Sequence, residues 1–261
     1  MVHDGTDGPK FDEILPVPGA SGTNLKVTWS EDGSRYAYFG RVGQEYLVMV
    51  DGKEVHRGPL SADLVSQGQT PVFQLDFTPG DRHWYLIVQT RTPGRQHYQL
   101  VIDGQAGPVS DGDLAPVWSP DGEHPAYILN RNPPTGQPHS SALIVDGKPA
   151  PYQAGEPQFT GDGLHLVTKR PGPPRTSLVD VLADGQPFMR VDGGVQLTMA
   201  PTGPGVLGVA WTPFQNGVRA AYLLVSNRKV PGSECTDNAA MSPSPRTAGR
   251  STRGAATAGP S

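Results

Sequence analysis

Seven histidines and a recurring set of aspartates are the side chains here whose chemistry could go beyond packing. The histidines stand at positions 3, 56, 83, 97, 124, 139 and 165. An imidazole near neutrality can carry a proton or ligate a metal, but either role needs partners at a defined spacing. These seven fall at differing places relative to the recurring turns described below, mostly near turns or polar strand ends, and read as surface residues. Asp32, Asp121 and Asp162, and again Asp51, Asp103 and Asp146, could be imagined as calcium ligands. No Asp-x-Asp-x-Asp-Gly loop gathers several oxygens, however, and an aspartate in a turn is accounted for by bonding to its own backbone. Asp111-Gly112-Asp113 is the nearest approach to such a loop. Trp29, Trp84, Trp118 and Trp211 could stack on a sugar, yet three of them stand at or beside strand positions expected to be buried between sheets. Trp84 follows a turn and is the first to test for exposure. A Gly-x-Ser-x-Gly elbow, a His-Glu-x-x-His helix, a phosphate-cradling Gly-x-x-x-x-Gly-Lys loop and a spaced Cys/His set are all missing from the sequence. The sequence therefore assigns no catalytic, cofactor-binding or metal-binding residue.

What would position any such residues is far more legible. Four times an apolar run ends in Asp-Gly followed by Lys or Gln: Val50-Asp51-Gly52-Lys53, Ile102-Asp103-Gly104-Gln105, Val145-Asp146-Gly147-Lys148 and Ala183-Asp184-Gly185-Gln186. Asp-Gly between β-rich runs signals a tight hairpin, because a type I′ turn needs positive φ at both central residues. A second marker precedes each of these: 30–33, 78–81, 119–122 and 160–163, with a fifth copy at 200–203. Ser or Thr first, Pro second and Gly fourth suit a type I turn running into a glycine bulge. The marker returns about every forty residues with several strands per unit, which is the period of a propeller blade and not of a helical array.

The third unit shows the pattern: Pro116–Trp118, the turn at 119–122, Pro125–Leu129, then Ser141–Val145 before Asp146-Gly147. First strands alternate with period two, as in Leu25, Val27, Trp29 and Phe73, Leu75, Phe77, and middle strands run continuously apolar, as strands covered on both faces do. The fold expected is all-β: a β-propeller of about five four-stranded blades over residues 1–230, or a piece of a six- or seven-bladed one. Residues 231–261 are Ser, Thr, Ala, Gly, Pro and Arg with almost nothing large and apolar, and are expected to be disordered. The fifth unit lacks a clear fourth strand, so two arrangements are open. Either residues 1–16 supply a closing outer strand to the fifth unit, removing open sheet edges, or the chain is a fragment that begins inside a repeat.

Composition narrows the rest. The 261 residues carry 33 Gly and 28 Pro, too many turn formers for a helical protein. A net charge of −4, from 21 basic and 25 acidic residues, offers no positive field to a phosphate backbone, so nucleic acid is not an expected partner. The one cysteine, Cys235, cannot make a disulfide framework within the chain. The first residues lack a basic and apolar signal pattern, and no apolar run approaches about 18 residues, so membrane insertion is not expected and the compartment stays unassigned.

Trp118-Ser119-Pro120-Asp121-Gly122 followed by Ala126-Tyr127, together with the Val-Asp-Gly-Lys ends, resembles the TolB-like, WD-repeat-like propeller repeats of bacterial proteins over about residues 1–230. Gly8-Pro9-Lys10-Phe11-Asp12-Glu13-Ile14 is similar to the Gly-Pro-x-Tyr-Asp-x-Ile segment that follows Asp-Gly in such repeats. The sequence departs from that pattern where the second marker reverses Asp and Gly and the fifth lacks Asp. The resemblance implies a non-catalytic scaffold, often exported, that binds proteins or small ligands with its faces and channel. The expectation is therefore a monomeric binding module using the loops 57–70 and 130–140, with no cofactor. The competing readings are a propeller enzyme acting on carbohydrate, a propeller domain separated from a peptidase, and a truncated product without activity of its own.

Overall fold

The computed structural model describes residues 2–238 except 4, 5, 8, 9, 19–23, 26, 62, 63, 65–68, 93, 133–139, 153, 154, 193, 194, 201–205, 212–217, 226, 227 and 230–234; residues 2–7, 17–25 and 206–238 are described as backbone strands only.

Among the described residues five antiparallel sheets of four or five strands follow one another along the chain, beside two short two-stranded pairs, Val2–His3 with Thr6–Asp7 and Val17–Pro18 with Asn24–Leu25. Blade II is built from Val72–Phe77, Trp84–Thr92, Arg95–Ile102 and Gln105–Ser110. Blade III uses Val117–Trp118, Pro125–Arg131, Ser140–Val145 and Lys148–Pro149. Blade IV uses Gly155–Phe159, Leu166–Pro171, Leu178–Ala183 and Gln186–Asp192. Each is a meander in which every strand pairs with the next, the cheapest topology for consecutive hairpins. The expected propeller of four-stranded blades is thus what the chain forms.

The turns do what their residues predict. In the Asp-Gly hairpins Asp51, Asp103, Asp146 and Asp184 all take positive φ, between 46° and 50°, as type I′ geometry demands. In the markers the fourth residue donates its backbone N–H to the carbonyl of the first, at 3.0 Å for Gly33 to Ser30 and 2.8 Å for Gly122 to Ser119. The reversed marker keeps the same bond, with Asp81 donating to Thr78 at 2.9 Å and adopting φ +58° where the other blades have glycine.

Blades I and V carry the departures. The inner strand of blade I is in two pieces, Glu13–Leu15 and Thr28–Trp29, both paired with Tyr36–Val42. Glu45–Val50 and Lys53–Pro59 complete it. Residues 13–15 therefore do not close onto the fifth unit as one of the two expectations had it. The reason is visible in the packing: Phe11 and Ile14, with Val27, cover Tyr36, Tyr38 and Met49 on the face of blade I turned away from blade II. Blade V comprises Val195–Met199, Val206–Trp211 and Val218–Val225, and its outer edge is paired by Arg228–Lys229 and by Cys235–Asn238. A strand thus lies inside the stretch expected to be disordered, because the edge of Val218–Val225 supplies the backbone partners that its own composition could not. Residues from 239 onward, and the fifth marker from residue 201, lie outside the described residues.

Alternation along the middle strands divides the core between blades. Ala37, Phe39 and Val48 of blade I meet Leu75, Phe77 and Leu86 of blade II. Tyr85, Ile87 and Leu100 meet Tyr127, Leu129 and Ile144 across the next gap. Ala126 and Leu143 meet Leu166, and Val167 and Val181 meet Val195 and Leu197. Blades II, III and IV therefore bury both faces through their neighbours, the energetic logic of a repeat array.

Candidate functional site

The chemistry-bearing residues gather at the end of the blades where the markers and the Asp-Gly turns lie. At this end Ser30, Thr78, Ser119 and Thr160 are buried. Each hydroxyl accepts the backbone N–H five residues on, from Arg35 at 2.8 Å, His83 at 3.1 Å, His124 at 2.9 Å and His165 at 3.1 Å. Three of them also donate to the marker aspartate, to Asp32 at 2.8 Å, to Asp121, and to Asp162 at 2.6 Å. The side chain at that fifth position then ties down the Asp-Gly turn of the same blade. Arg35 Nε donates to Asp51 at 2.9 Å, and the imidazole Nδ1 of His83, His124 and His165 pairs with Asp103 at 2.5 Å, Asp146 at 3.1 Å and Asp184 at 2.7 Å. The other carboxylate oxygen accepts the next backbone N–H in blades I, II and IV, from Tyr36, Trp84 and Leu166.

Ser, His and Asp so placed have the composition of a hydrolytic triad but not its geometry. A nucleophilic serine must face substrate with its hydroxyl on the imidazole. Ser119 is wholly buried, its hydroxyl is engaged by the His124 backbone N–H and by Asp121, and the His124 ring points to Asp146. The constellation fastens two turns per blade. Its recurrence corrects the reading of the histidines, because His83, His124 and His165 do share one place in the repeat, five residues past Thr78, Ser119 and Thr160. That common interval was the signal available in the sequence.

Between blades the same end is laced by charge. Asp81 accepts the backbone N–H of Glu31 at 2.9 Å and of Asp32 at 3.2 Å, so the reversed marker serves the neighbouring blade. His83 Nε2 reaches Glu123 of blade III at 3.1 Å while Nδ1 holds Asp103. With a carboxylate on each ring nitrogen the imidazolium is favoured, and the hydrogen bond to Asp103, supported by Glu123, raises the His83 pKa against the opposing effect of burial. The bond to Asp184 raises that of His165.

The remaining candidates are dispersed. His97 pairs with Asp111 at 2.8 Å, and Asp111 also accepts the Asn132 backbone N–H at 2.8 Å, so this carboxylate is committed to tying blade II to the end of a blade III strand. His56 is packed beside Tyr46, 3.1 Å from its hydroxyl, and burial lowers its pKa. The side chain of His3, and His139, lie outside the described residues, as do residues 62, 63 and 65–68 of the loop 57–70 and 133–139 of the loop 130–140. Among the described residues no cluster of three or more His, Cys, Asp or Glu gathers as a metal site, and no helix is long and apolar enough to cross a membrane. The tryptophans exchange roles with the expectation: Trp84 is 6% exposed, Trp29 is 57% exposed against Tyr36, and Trp118 packs between blades II and III. Phe77 and Trp118, which stand at the same place before their markers, pack against the preceding blade, and among the described residues Trp29 has no such cover.

Among the described residues two clefts between blades stand out. One, of about 600 Å³, opens between blades II and III over Leu100, Ile102 and Tyr127, with Glu123 and Asp146 in its wall. The other, of about 550 Å³, lies at the opposite ends of the strands between blades IV and V, over Leu178, Val179 and Val195 with Lys169 and Arg170 beside them. Both fall within the roughly 300–1,000 Å³ range of small-molecule clefts. Lys169 Nζ donates to the Val195 carbonyl at 3.1 Å and pairs with Glu156. Burial lowers the pKa of this lysine. Beside it, Asp180 is gripped by Arg190 and Arg170, which hold its carboxyl at about 2.

These features define a β-propeller built on turn-fastening networks. No family model matches the chain, and no curated protein matches it. Solved structures do resemble it. The uncharacterized protein lmo1340 from Listeria monocytogenes EGD-e is 10% identical with a TM-score of 0.43, over 89% of this chain and 69% of that one. TolB from Acinetobacter baumannii is 12% identical with a TM-score of 0.34, over 78% of this chain and 53% of its own length. The β-propeller domain of the Trilobed protease from Pyrococcus furiosus is 11% identical with a TM-score of 0.37, over 79% and 68%. At such values the likeness carries no functional argument, and the fold stands on the sheets described above.

Proposed function

We propose that this propeller is a non-catalytic scaffold that binds a partner or small ligand in the clefts and loops at the ends of its blades. The observation that carries this reading is the commitment of the Ser/Thr, His/Arg and Asp groups to turn fastening in every blade from I to IV where their side chains are described. Groups repeated at equivalent positions and saturated by their own backbone support architecture, whereas catalysis needs one unrepeated, substrate-facing set. Rigid sheets carrying variable loops are a common platform for recognition.

The test pairs binding with turnover. The purified chain is screened by thermal shift against peptides, sugars and small acids, and in parallel against chromogenic esters, glycosides and peptide anilides. Saturable rises in Tm with the ligand recovered unchanged are expected. Turnover that disappears in Ser119→Ala or His124→Ala would overturn the reading.

A further inference from the structure

We propose that the cleft between blades IV and V takes a small carboxylate ligand with an apolar body, whose carboxylate replaces that of Glu156 on Lys169. The proposal rests on the scaffold reading above and names the ligand class of one of its clefts.

The argument begins with the backbone. Blade IV's inner strand slips register between Gly155 and Gln158, and Glu156 within that slip has φ +52°. A β-carbon in the left-handed region is strained, and a glutamate has no special tolerance of it. The distortion turns an exposed carboxylate onto Lys169, whose own side chain is largely buried. Lys169 is the fixed member of the pair, because its ammonium is held from behind by the Val195 carbonyl and its stem lies in the strand Leu166–Pro171. Glu156 is the exchangeable member, attached at the solvent side.

Beneath the ammonium the wall is apolar, with Leu178 and Val179 on one side and Val195 on the other. Val195 belongs to the core shared by blades IV and V, so this floor is rigid. A cation at the rim and hydrocarbon below suit an anion with a hydrophobic tail, since a partly desolvated charge-assisted hydrogen bond fixes the head while the tail removes apolar surface from water. Arg170, paired with Asp180 at 3.0 Å, adds a second positive group beside it. The cleft between blades II and III makes the contrast. Of similar volume, it has Glu123 and Asp146 in its wall and no Lys or Arg among its described lining residues, so it disfavours an anion.

Octanoate and its neutral isostere octanamide serve as probes, titrated calorimetrically into the full chain and into Lys169→Met and Glu156→Gln. Octanoate is expected to bind about tenfold or more tightly than octanamide, and Lys169→Met to abolish that preference. Glu156→Gln, at an exposed side chain where folding is not at stake, is expected to tighten octanoate several-fold by removing the internal competitor. Methyl resonances of Leu178, Val179 and Val195 should shift on octanoate addition. Equal affinity for the two probes, an unchanged preference in Lys169→Met, or no octanoate binding at millimolar concentration would overturn the assignment. Any of these would leave the scaffold reading standing, which only the turnover result above removes.

Discussion

Gly33 and Gly122 hold the same fourth place in their markers and nearly the same backbone, φ +71° and +76°, yet their surroundings differ completely. A β-carbon on Gly33 meets nothing within 4 Å. One on Gly122 would stand 2.1 Å from the Pro79 carbonyl oxygen and 2.8 Å from the Thr78 hydroxyl, both in the marker of blade II. Substituting alanine at each therefore separates two costs. Gly33→Ala incurs only the left-handed penalty, about 1–2 kcal/mol. Gly122→Ala incurs that and must also force two backbones apart; overpacking of this kind adds about 1–3 kcal/mol. The obstacle is a carbonyl in a hydrogen-bonded turn and not the tip of a mobile side chain, so the upper half of that range is expected. Urea unfolding followed by tryptophan fluorescence measures both variants against the wild type on one scale. Gly122→Ala should lose about 2–3 kcal/mol more than Gly33→Ala. Equal losses would refute the claim that successive markers pack in contact at this end of the blades.

Two further outcomes concern charge. For His83 the pKa is raised in the folded protein, so its contribution is full below the ordinary histidine value near 6.5 and fades as pH rises through the higher folded value. Tm measured across that window should fall more for the wild type than for His83→Gln, by an amount worth under about 1 kcal/mol for so accessible a pair; parallel curves would refute the bridge to Asp103 and Glu123. Asp180 runs the other way. Its carboxyl is held at about 2 by Arg190 and Arg170, so its contribution is present above the ordinary aspartate value and lost as pH falls toward the folded one. Asp180→Asn should accordingly lower Tm at neutral pH, with the gap closing in acid, and a gap independent of pH would count against the arrangement.

How much of this was readable beforehand depends on how local the cause is. The Asp-Gly hairpins and marker turns were legible because two to four adjacent residues dictate their φ angles, and their spacing then exposed the blades. What the sequence hid is non-local. The pairing of residues 13–15 with blade I goes with covering the face that carries Tyr36, Tyr38 and Met49, and the strand 235–238 depends on an edge whose paired residues lie fourteen to twenty positions away. Asp81 looked like a blemish in its marker; its partners are the backbone N–H groups of Glu31 and Asp32 in the preceding blade. Lys169 and Glu156 meet only through a slip in strand register that no local pattern announces. The histidine register was available, but it emerges only when the histidines are counted from the marker and not from one another.

The residue that ties the Asp-Gly turn is a histidine in three consecutive blades and an arginine, Arg35, in the first. A guanidinium keeps its proton at any pH a cell presents, whereas an imidazole can surrender one near neutrality. A rise in pH through the raised folded values of His83 and His165 thus reaches the fastenings of blades II and IV and leaves the Arg35 fastening of blade I charged. Strain, proteolytic nicking or amide exchange provoked by a rise in pH should accordingly enter through these two blades and reach the amino-terminal one last.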